Sequence, residues 1–122
     1  MKYIINERQY KLISEEEEQE VLHIPSLDVF GDWETLQKFL ERRGYPLYSI
    51  GGNFNLYGTK IESLGNLTSV GGYLDLDRTN IESLGNLTSV GGDLDLSRTP
   101  LSKKYTIEEI RNMVKVGGDI YL

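Results

Sequence analysis

The chain has 122 residues, a net charge of −6 at pH 7 and no cysteine, and 39% of its residues are hydrophobic. That size and composition suit one globular domain, 1–122, and the lack of cysteine excludes disulfides and thiolate metal sites. The acidic balance argues against wrapping nucleic acid, and the lack of a long apolar run or an apolar leader predicts a cytoplasmic protein without a membrane segment.

The N-terminal part, residues 1–46, is predicted to form a hairpin followed by a helix. Two short apolar runs within residues 3–13 can pair as strands. Residues 14–18, a serine and four glutamates, suit either a short helix or a solvated acidic loop. The next strong signal is a helix over 33–43 with Asp32 as its N-cap and Gly44 as its end. Its apolar stripe, which we expect to cap the fold, contains Trp33, Leu36, Phe39 and Leu40.

The central part, residues 47–100, is a repeat. Residues 61–80 and 81–100 are identical at seventeen of twenty positions. Four copies of a Gly-Gly segment can be aligned, and they begin at Ile50, Val70, Val90 and Val116. A short fixed period predicts a solenoid, in which each unit covers the hydrophobic face of the next.

Each copy contains a short strand after its glycine pair, because large apolar residues alternate there with period two. The inward rows are predicted to be Phe54, Leu74, Leu94 and Ile120, and Leu56, Leu76, Leu96 and Leu122. Between these strands the apolar residues come every three positions, as in 61, 64, 67 and 70, which favours an irregular or 3₁₀ return. The threonines at 59, 79 and 99 are expected to satisfy backbone groups where the chain leaves each strand.

The C-terminal part, residues 101–122, is predicted to contain a helix over 106–115 and a last strand. Thr106 and Glu109 match a capping box, and Ile107, Ile110 and Met113 would form the buried stripe. The last Gly-Gly strand has no later sequence to cover its edge, which would allow a homodimer through that edge strand.

The pattern V-G-G-x-L-x-L-x-x-T-x-I-x-x-L-x-x-L-x-x-V over residues 47–122 resembles leucine-rich repeats, especially short bacterial or phage-type repeats of about twenty residues. It is also similar to the repeats of receptor L domains. The resemblance implies an α/β solenoid with a short parallel sheet lining one face, helical caps, and partner binding on the sheet. Threonines 59, 79 and 99 stand where leucine-rich repeats usually have asparagine, so the usual asparagine ladder is expected to be absent.

The outward residues of the predicted strands form a surface that we call the strand face. Two of the three differences between the near-identical copies, Tyr73 against Asp93 and Asp77 against Ser97, are predicted to lie on it. The strand face is acidic and carries tyrosines, so a protein partner with a basic or neutral surface would fit it. The alternative is an ordinary face kept soluble by charge. The candidate partner-binding residues are Asn53, Asn55, Tyr57, Tyr73, Asp75, Asp77, Arg78, Asp93, Asp95, Arg98, Asp119 and Tyr121.

Catalytic and metal chemistry is not expected. His23 is the single histidine and is interpreted as structural, so zinc and histidine-based nucleophilic sites lack residues. Asp75 and Asp95 would lie on an open face rather than in the desolvated pocket that acid catalysis needs. The aspartates also lack the spacing of known calcium loops. We therefore predict no enzyme and no cofactor. The chain would be a non-catalytic protein-binding module, with an acidic nucleic-acid-mimicking decoy and a self-assembling structural protein as alternatives.

Overall fold

Two parallel β-sheets run through the repeats in the computed structural model, which describes residues 20–122. The five-stranded sheet has the order β1 (Val21–Ile24), β2 (Leu47–Ile50), β4 (Leu67–Val70), β6 (Ser89–Val90) and β8 (Lys115–Val116). The four-stranded sheet has the order β3 (Phe54–Asn55), β5 (Leu74–Asp75), β7 (Leu94–Asp95) and β9 (Ile120–Tyr121). The predicted hairpin and the acidic segment lie outside the described residues.

The two predicted helices are present. The first, α1 (Trp33–Arg42), begins at the N-cap Asp32, whose carboxylate accepts a hydrogen bond of 2.8 Å from the Thr35 amide. That bond lowers the pKa of Asp32. The second, α2 (Ile107–Met113), has the predicted capping box between Thr106 and Glu109. Two 3₁₀ turns span Leu27–Val29 and Leu101–Lys103.

The predicted inward row forms the centre of the four-stranded sheet. Phe54 pairs with Leu74, Leu74 with Leu94, and Leu94 with Ile120, all in parallel register. The first three of these side chains are fully buried and Ile120 is 5% exposed. In the second row Leu56, Leu76 and Leu96 are buried, but Leu122, next to the edge strand β9, is 38% exposed. The prediction of inward burial is therefore confirmed except at Leu122.

The expectation of one sheet with an irregular or 3₁₀ return was incomplete. Residues 67–70 and 89–90 of the return form β4 and β6, and their backbones join the five-stranded sheet. The apolar spacing of three hid this sheet because both Leu67 and Val70 turn inward, which no alternating strand does. A register shift between Tyr48 and Ser49, where β2 meets β4, accommodates that geometry.

The buried stripe predicted for α2 was also wrong in part. Ile110 is fully buried, whereas Ile107 is 45% and Met113 46% exposed. A helix of seven residues that packs beside β8 buries one narrow face, and Val114 just after it supplies the next buried side chain.

Side-chain hydrogen bonds stabilise the turns in two ways, within a copy at the threonines and between copies at the asparagines. Each of Thr59, Thr79 and Thr99 donates a hydrogen bond of 2.6–2.8 Å to the carbonyl three residues earlier, as predicted. The usual asparagine ladder is absent at positions 59, 79 and 99, as expected, but asparagines at a different turn connect successive copies. The amide nitrogen of Asn86 donates to the side-chain oxygen of Asn66 over 3.0 Å, and Asn66 donates to the Tyr45 carbonyl over 2.7 Å.

Candidate functional site

The four-stranded sheet brings most of the predicted binding residues onto one face. The exposed ones are Asn53, Asn55, Tyr57, Tyr73, Arg78, Asp93, Arg98, Asp119 and Tyr121, and Asp75 and Asp95 are half-buried. Asp77 is the exception, because it is only 6% exposed. The strand face thus contains the predicted residues other than Asp77.

An open depression of about 240 Å³ lies at the centre of the strand face. We call it the Tyr–Asp depression, and it is lined by Tyr73, Leu74, Asp75, Asp93, Asp95 and Tyr121. The parallel register places Asp75 beside Asp95 and Asp95 beside Tyr121. One row across three strands therefore brings two carboxylates and a phenol together.

The carboxylates of the depression are held in place by backbone amides. One oxygen of Asp75 accepts a hydrogen bond of 3.0 Å from the Asp77 amide, and one oxygen of Asp95 accepts a bond of 2.9 Å from the Ser97 amide. Asn55 makes the same contact with the Tyr57 amide, over 3.0 Å. Within residues 20–122, the second oxygens of Asp75 and Asp95 have no hydrogen-bond partner. These oxygens are available to a ligand without any rearrangement of the backbone.

Asp93 has a different structural role. Its side-chain oxygen accepts a hydrogen bond of 2.8 Å from the Asp119 amide of the next copy. Asn53 makes the equivalent contact with the Tyr73 amide, over 3.0 Å. These side chains therefore fix the start of the following strand, and Asp93 also adds negative charge beside Tyr121.

The local potential disfavours further negative charge. Burial raises the pKa of Asp75, and the neighbouring Asp95 and Asp77 carboxylates raise it further, against the lowering effect of the Asp77 amide. The charges of Asp93 and Asp119 raise the pKa of the Tyr121 phenol. Both shifts have the sign expected where anionic groups crowd together, and a cation placed there would relieve the repulsion.

Asp77 was predicted to face a partner, and the structure corrects this. Its carboxylate is bound by Arg98, with 3.0 Å from Nε to Oδ1 and 2.6 Å from Nη2 to Oδ2. This pairing raises the pKa of Arg98. Asp77, which is replaced by Ser97 in the next copy, therefore forms an ion pair within the chain and does not face a partner. The replacement of Tyr73 by Asp93 is then the one difference between the near-identical copies that lies on the open strand face. Sequence reasoning missed the pair because positions 77 and 98 are not equivalent in the repeat.

His23 makes a structural contact. Its Nδ1 lies 2.6 Å from the Ser49 hydroxyl, and the two residues are register partners in β1 and β2. Across residues 20–122 no group of three or more histidine, aspartate or glutamate side chains is arranged to hold a metal ion.

No helix in the described part of the chain has the length and hydrophobicity needed to cross a membrane. A scan of protein-family models and searches of curated proteins and of solved structures gave no match to this chain.

Proposed function

We propose that the chain is a short α/β solenoid of the leucine-rich-repeat type, capped by α1 and α2, and that it is a cytoplasmic, non-catalytic module binding a protein partner through the strand face. The architectural part is supported by the pairing of residues one repeat apart, such as Leu74 with Leu94 and Val70 with Val90. Such units bury their apolar residues against their neighbours, which leaves the outward strand residues free for recognition.

The observation that carries the functional part is the Tyr–Asp depression. Asp75 and Asp95 present oxygens that are oriented by backbone hydrogen bonds, and Tyr73 and Tyr121 stand exposed beside them. Tyrosine is enriched at protein interfaces because a rigid ring gives large contact area at a small entropic cost. Ordered acceptors between exposed aromatic rings are suited to recognition of a complementary surface.

The expected partner surface is basic. A unit positive charge 4 Å from a carboxylate is attracted by about 4 kcal/mol at an effective dielectric constant of 20. The pair of Arg98 and Asp77 shows that this sheet already accommodates a guanidinium against a carboxylate. A partner arginine or lysine in the depression would also contact the tyrosine faces favourably.

The test compares affinity capture by the parent with capture by the double variant Tyr73→Ala, Asp75→Lys. Neither side chain belongs to the buried core, and Asp75→Lys removes one hydrogen bond, from the Asp77 amide, so we expect a folded variant with a small loss of thermal stability and loss of the partner. The matched control is Glu62→Lys, which makes the same change of charge at an exposed residue of the return. Captured proteins would be quantified by mass spectrometry. Full capture by the double variant, or equal loss with the control, would contradict binding by the strand face.

The decoy alternative makes a different prediction for the same captured partner. A nucleic-acid mimic should be displaced by DNA or RNA, and its binding should weaken steeply with ionic strength. A partner held by the tyrosines as well as by charge should resist this competition. Neutralisation of Asp77 by Arg98 reduces the acidic charge on the face, which favours the protein-binding module over the decoy.

A further inference from the structure

The edge of the five-stranded sheet has a hydrogen-bonding pattern that every copy repeats. In each copy the two glycine amides donate to carbonyls of the preceding copy. Gly91 donates to Val70 over 2.8 Å and Gly92 to Gly72 over 2.9 Å, and Gly117 and Gly118 donate to Val90 and Gly92 over 2.9 and 3.0 Å. A copy stacked on β8 would therefore need the carbonyls of Val116 and Gly118, which are the equivalent acceptors.

Arg111 of α2 already occupies both of these carbonyls. Its Nη1 donates to the Val116 oxygen over 3.1 Å, and its Nη2 donates to the Gly118 oxygen over 2.8 Å. The planar guanidinium presents two N–H groups side by side, so one side chain reproduces the two glycine amides of a stacked copy. The expectation of an uncovered edge concerned the last Gly-Gly strand, β9, which belongs to the other sheet, so this contact at β8 leaves that expectation untested.

We infer that Arg111 is an edge cap that closes the β8 side of the five-stranded sheet against strand pairing with a second copy of this chain. Exposed sheet edges promote association because their backbone donors and acceptors are unpaired, and natural proteins block them with charged side chains. Arg111 supplies both the blocking charge and the missing donors. A second copy could pair with β8 only after the guanidinium of Arg111 had moved away. The guanidinium would then lose its hydrogen bonds to the two carbonyls.

The cap covers one sheet and not the other. In the four-stranded sheet the direction of donation is reversed, since Leu94 and Leu96 donate to Asp119 and Tyr121 of the following copy over 2.9 and 2.7 Å. A copy stacked on β9 would therefore have to supply carbonyls, which an arginine cannot mimic. A complete coil pairs with both sheets at once, so closing β8 is enough to prevent stacking of a complete coil.

The experiment measures association of the full chain by sedimentation velocity over a wide range of concentrations. The variants are Arg111→Ala, which removes the cap, and Arg111→Lys, which keeps the charge but cannot span two carbonyls with one nitrogen. We expect the average mass of both to rise with concentration above the 13.9 kDa of one chain, with a smaller rise for lysine. The parent should show no such rise.

The matched control is Lys115→Ala, which removes a neighbouring exposed positive charge on β8. Association of this control to the same extent as Arg111→Ala would show a general charge effect and would overturn the inference. Equal masses for Arg111→Ala and the parent would overturn it as well. If Arg111→Ala loses the circular dichroism of the folded chain, Arg111→Lys decides the matter, because a folded lysine variant that does not associate contradicts the cap.

Discussion

The guanidinium of Arg98 binds the buried carboxylate of Asp77 through two hydrogen bonds, and it does so from a strained backbone. Arg98 has φ +55°, and Arg78, at the equivalent position one copy earlier, has φ +63°. Gly58, one copy before that, has φ +72°. The turn therefore demands a left-handed residue, and two copies place arginine where the first copy has glycine.

Replacing these two arginines by glycine should affect stability differently, and only Arg98→Gly should lower it. A left-handed backbone strains a non-glycine residue by about 1–2 kcal/mol, while glycine loses about 0.5–1 kcal/mol through its greater freedom in the unfolded chain. Arg78→Gly should therefore leave the free energy of unfolding unchanged or raise it by up to about 1 kcal/mol. Urea unfolding followed by circular dichroism would measure this.

Arg98→Gly makes the same backbone change but also removes the partner of Asp77. A buried charged group that loses its hydrogen bonds costs about 1–3 kcal/mol, which exceeds the relief of backbone strain. We expect this variant to unfold at a lower urea concentration than both the parent and Arg78→Gly. Equal midpoints for the two glycine variants would show that the ion pair contributes nothing to stability.

The sequence predicted those features that the repeat itself displays. The row of Phe54, Leu74, Leu94 and Ile120 could be predicted because aligned positions in successive copies share one environment. The pair of Asp77 with Arg98 and the cap formed by Arg111 could not, because each joins positions that are not equivalent in the repeat. Asp77 and Arg98 lie 21 residues apart in neighbouring copies, whereas Arg111 binds carbonyls five and seven residues further along the chain. Neither contact recurs with the period of the repeat, so a single sequence shows no trace of it.

The five-stranded sheet was missed because its inward residues, such as Leu67 and Val70, are three positions apart and do not alternate. The glycine pair that follows each of its inner strands, which we call the glycine corner, gives a second prediction. Successive backbones approach there so closely that a Cβ at Gly91 would overlap the carbonyl oxygen of Gly71. Neither backbone can move without breaking a parallel ladder. Gly91→Ala should therefore reduce the free energy of unfolding by more than about 2 kcal/mol, as overpacking against a rigid neighbour does.

Gly51 is the matched control for the glycine corner. A Cβ at Gly51 would lie 3.3 Å from the Pro25 carbonyl oxygen, which is a tight contact and not an overlap. Gly51→Ala should cost less than about 1 kcal/mol, measured by the same urea unfolding. Similar losses for the two alanine variants would mean that the spacing between copies is not set by the glycines.

The last prediction concerns Asp75, whose carboxylate is destabilised where it lies. Burial and the charges of Asp95 and Asp77 raise its pKa above the ordinary 3.8. The folded chain therefore holds the Asp75 proton more tightly than the unfolded chain does. This contribution to stability is complete below pH 3.8, and it is lost as the pH rises through the higher pKa of the folded state.

Asparagine does not ionise, so Asp75→Asn removes the loss of stability that accompanies ionisation of Asp75. The variant should keep the local structure, because Asn55 makes the same side-chain contact with a backbone amide in the first copy. We expect the variant to exceed the parent in free energy of unfolding by about 0.5 kcal/mol at neutral pH, after allowance for solvent screening, and to show a smaller difference below pH 3.8. Urea unfolding at the two pH values measures both. Glu82→Gln, an exposed carboxylate of the return, is the control and should show neither effect.

The same variant separates a binding surface from an ordinary charged face. If the Asp75 carboxylate is kept for a basic partner, Asp75→Asn should be more stable and yet capture less partner, since stability is commonly lost where a charge is held for function. A variant that is more stable and binds the partner fully would show that the charge of Asp75 serves no recognition. Loss of both stability and capture would show instead that the carboxylate supports the fold, since the asparagine would then have failed to replace it.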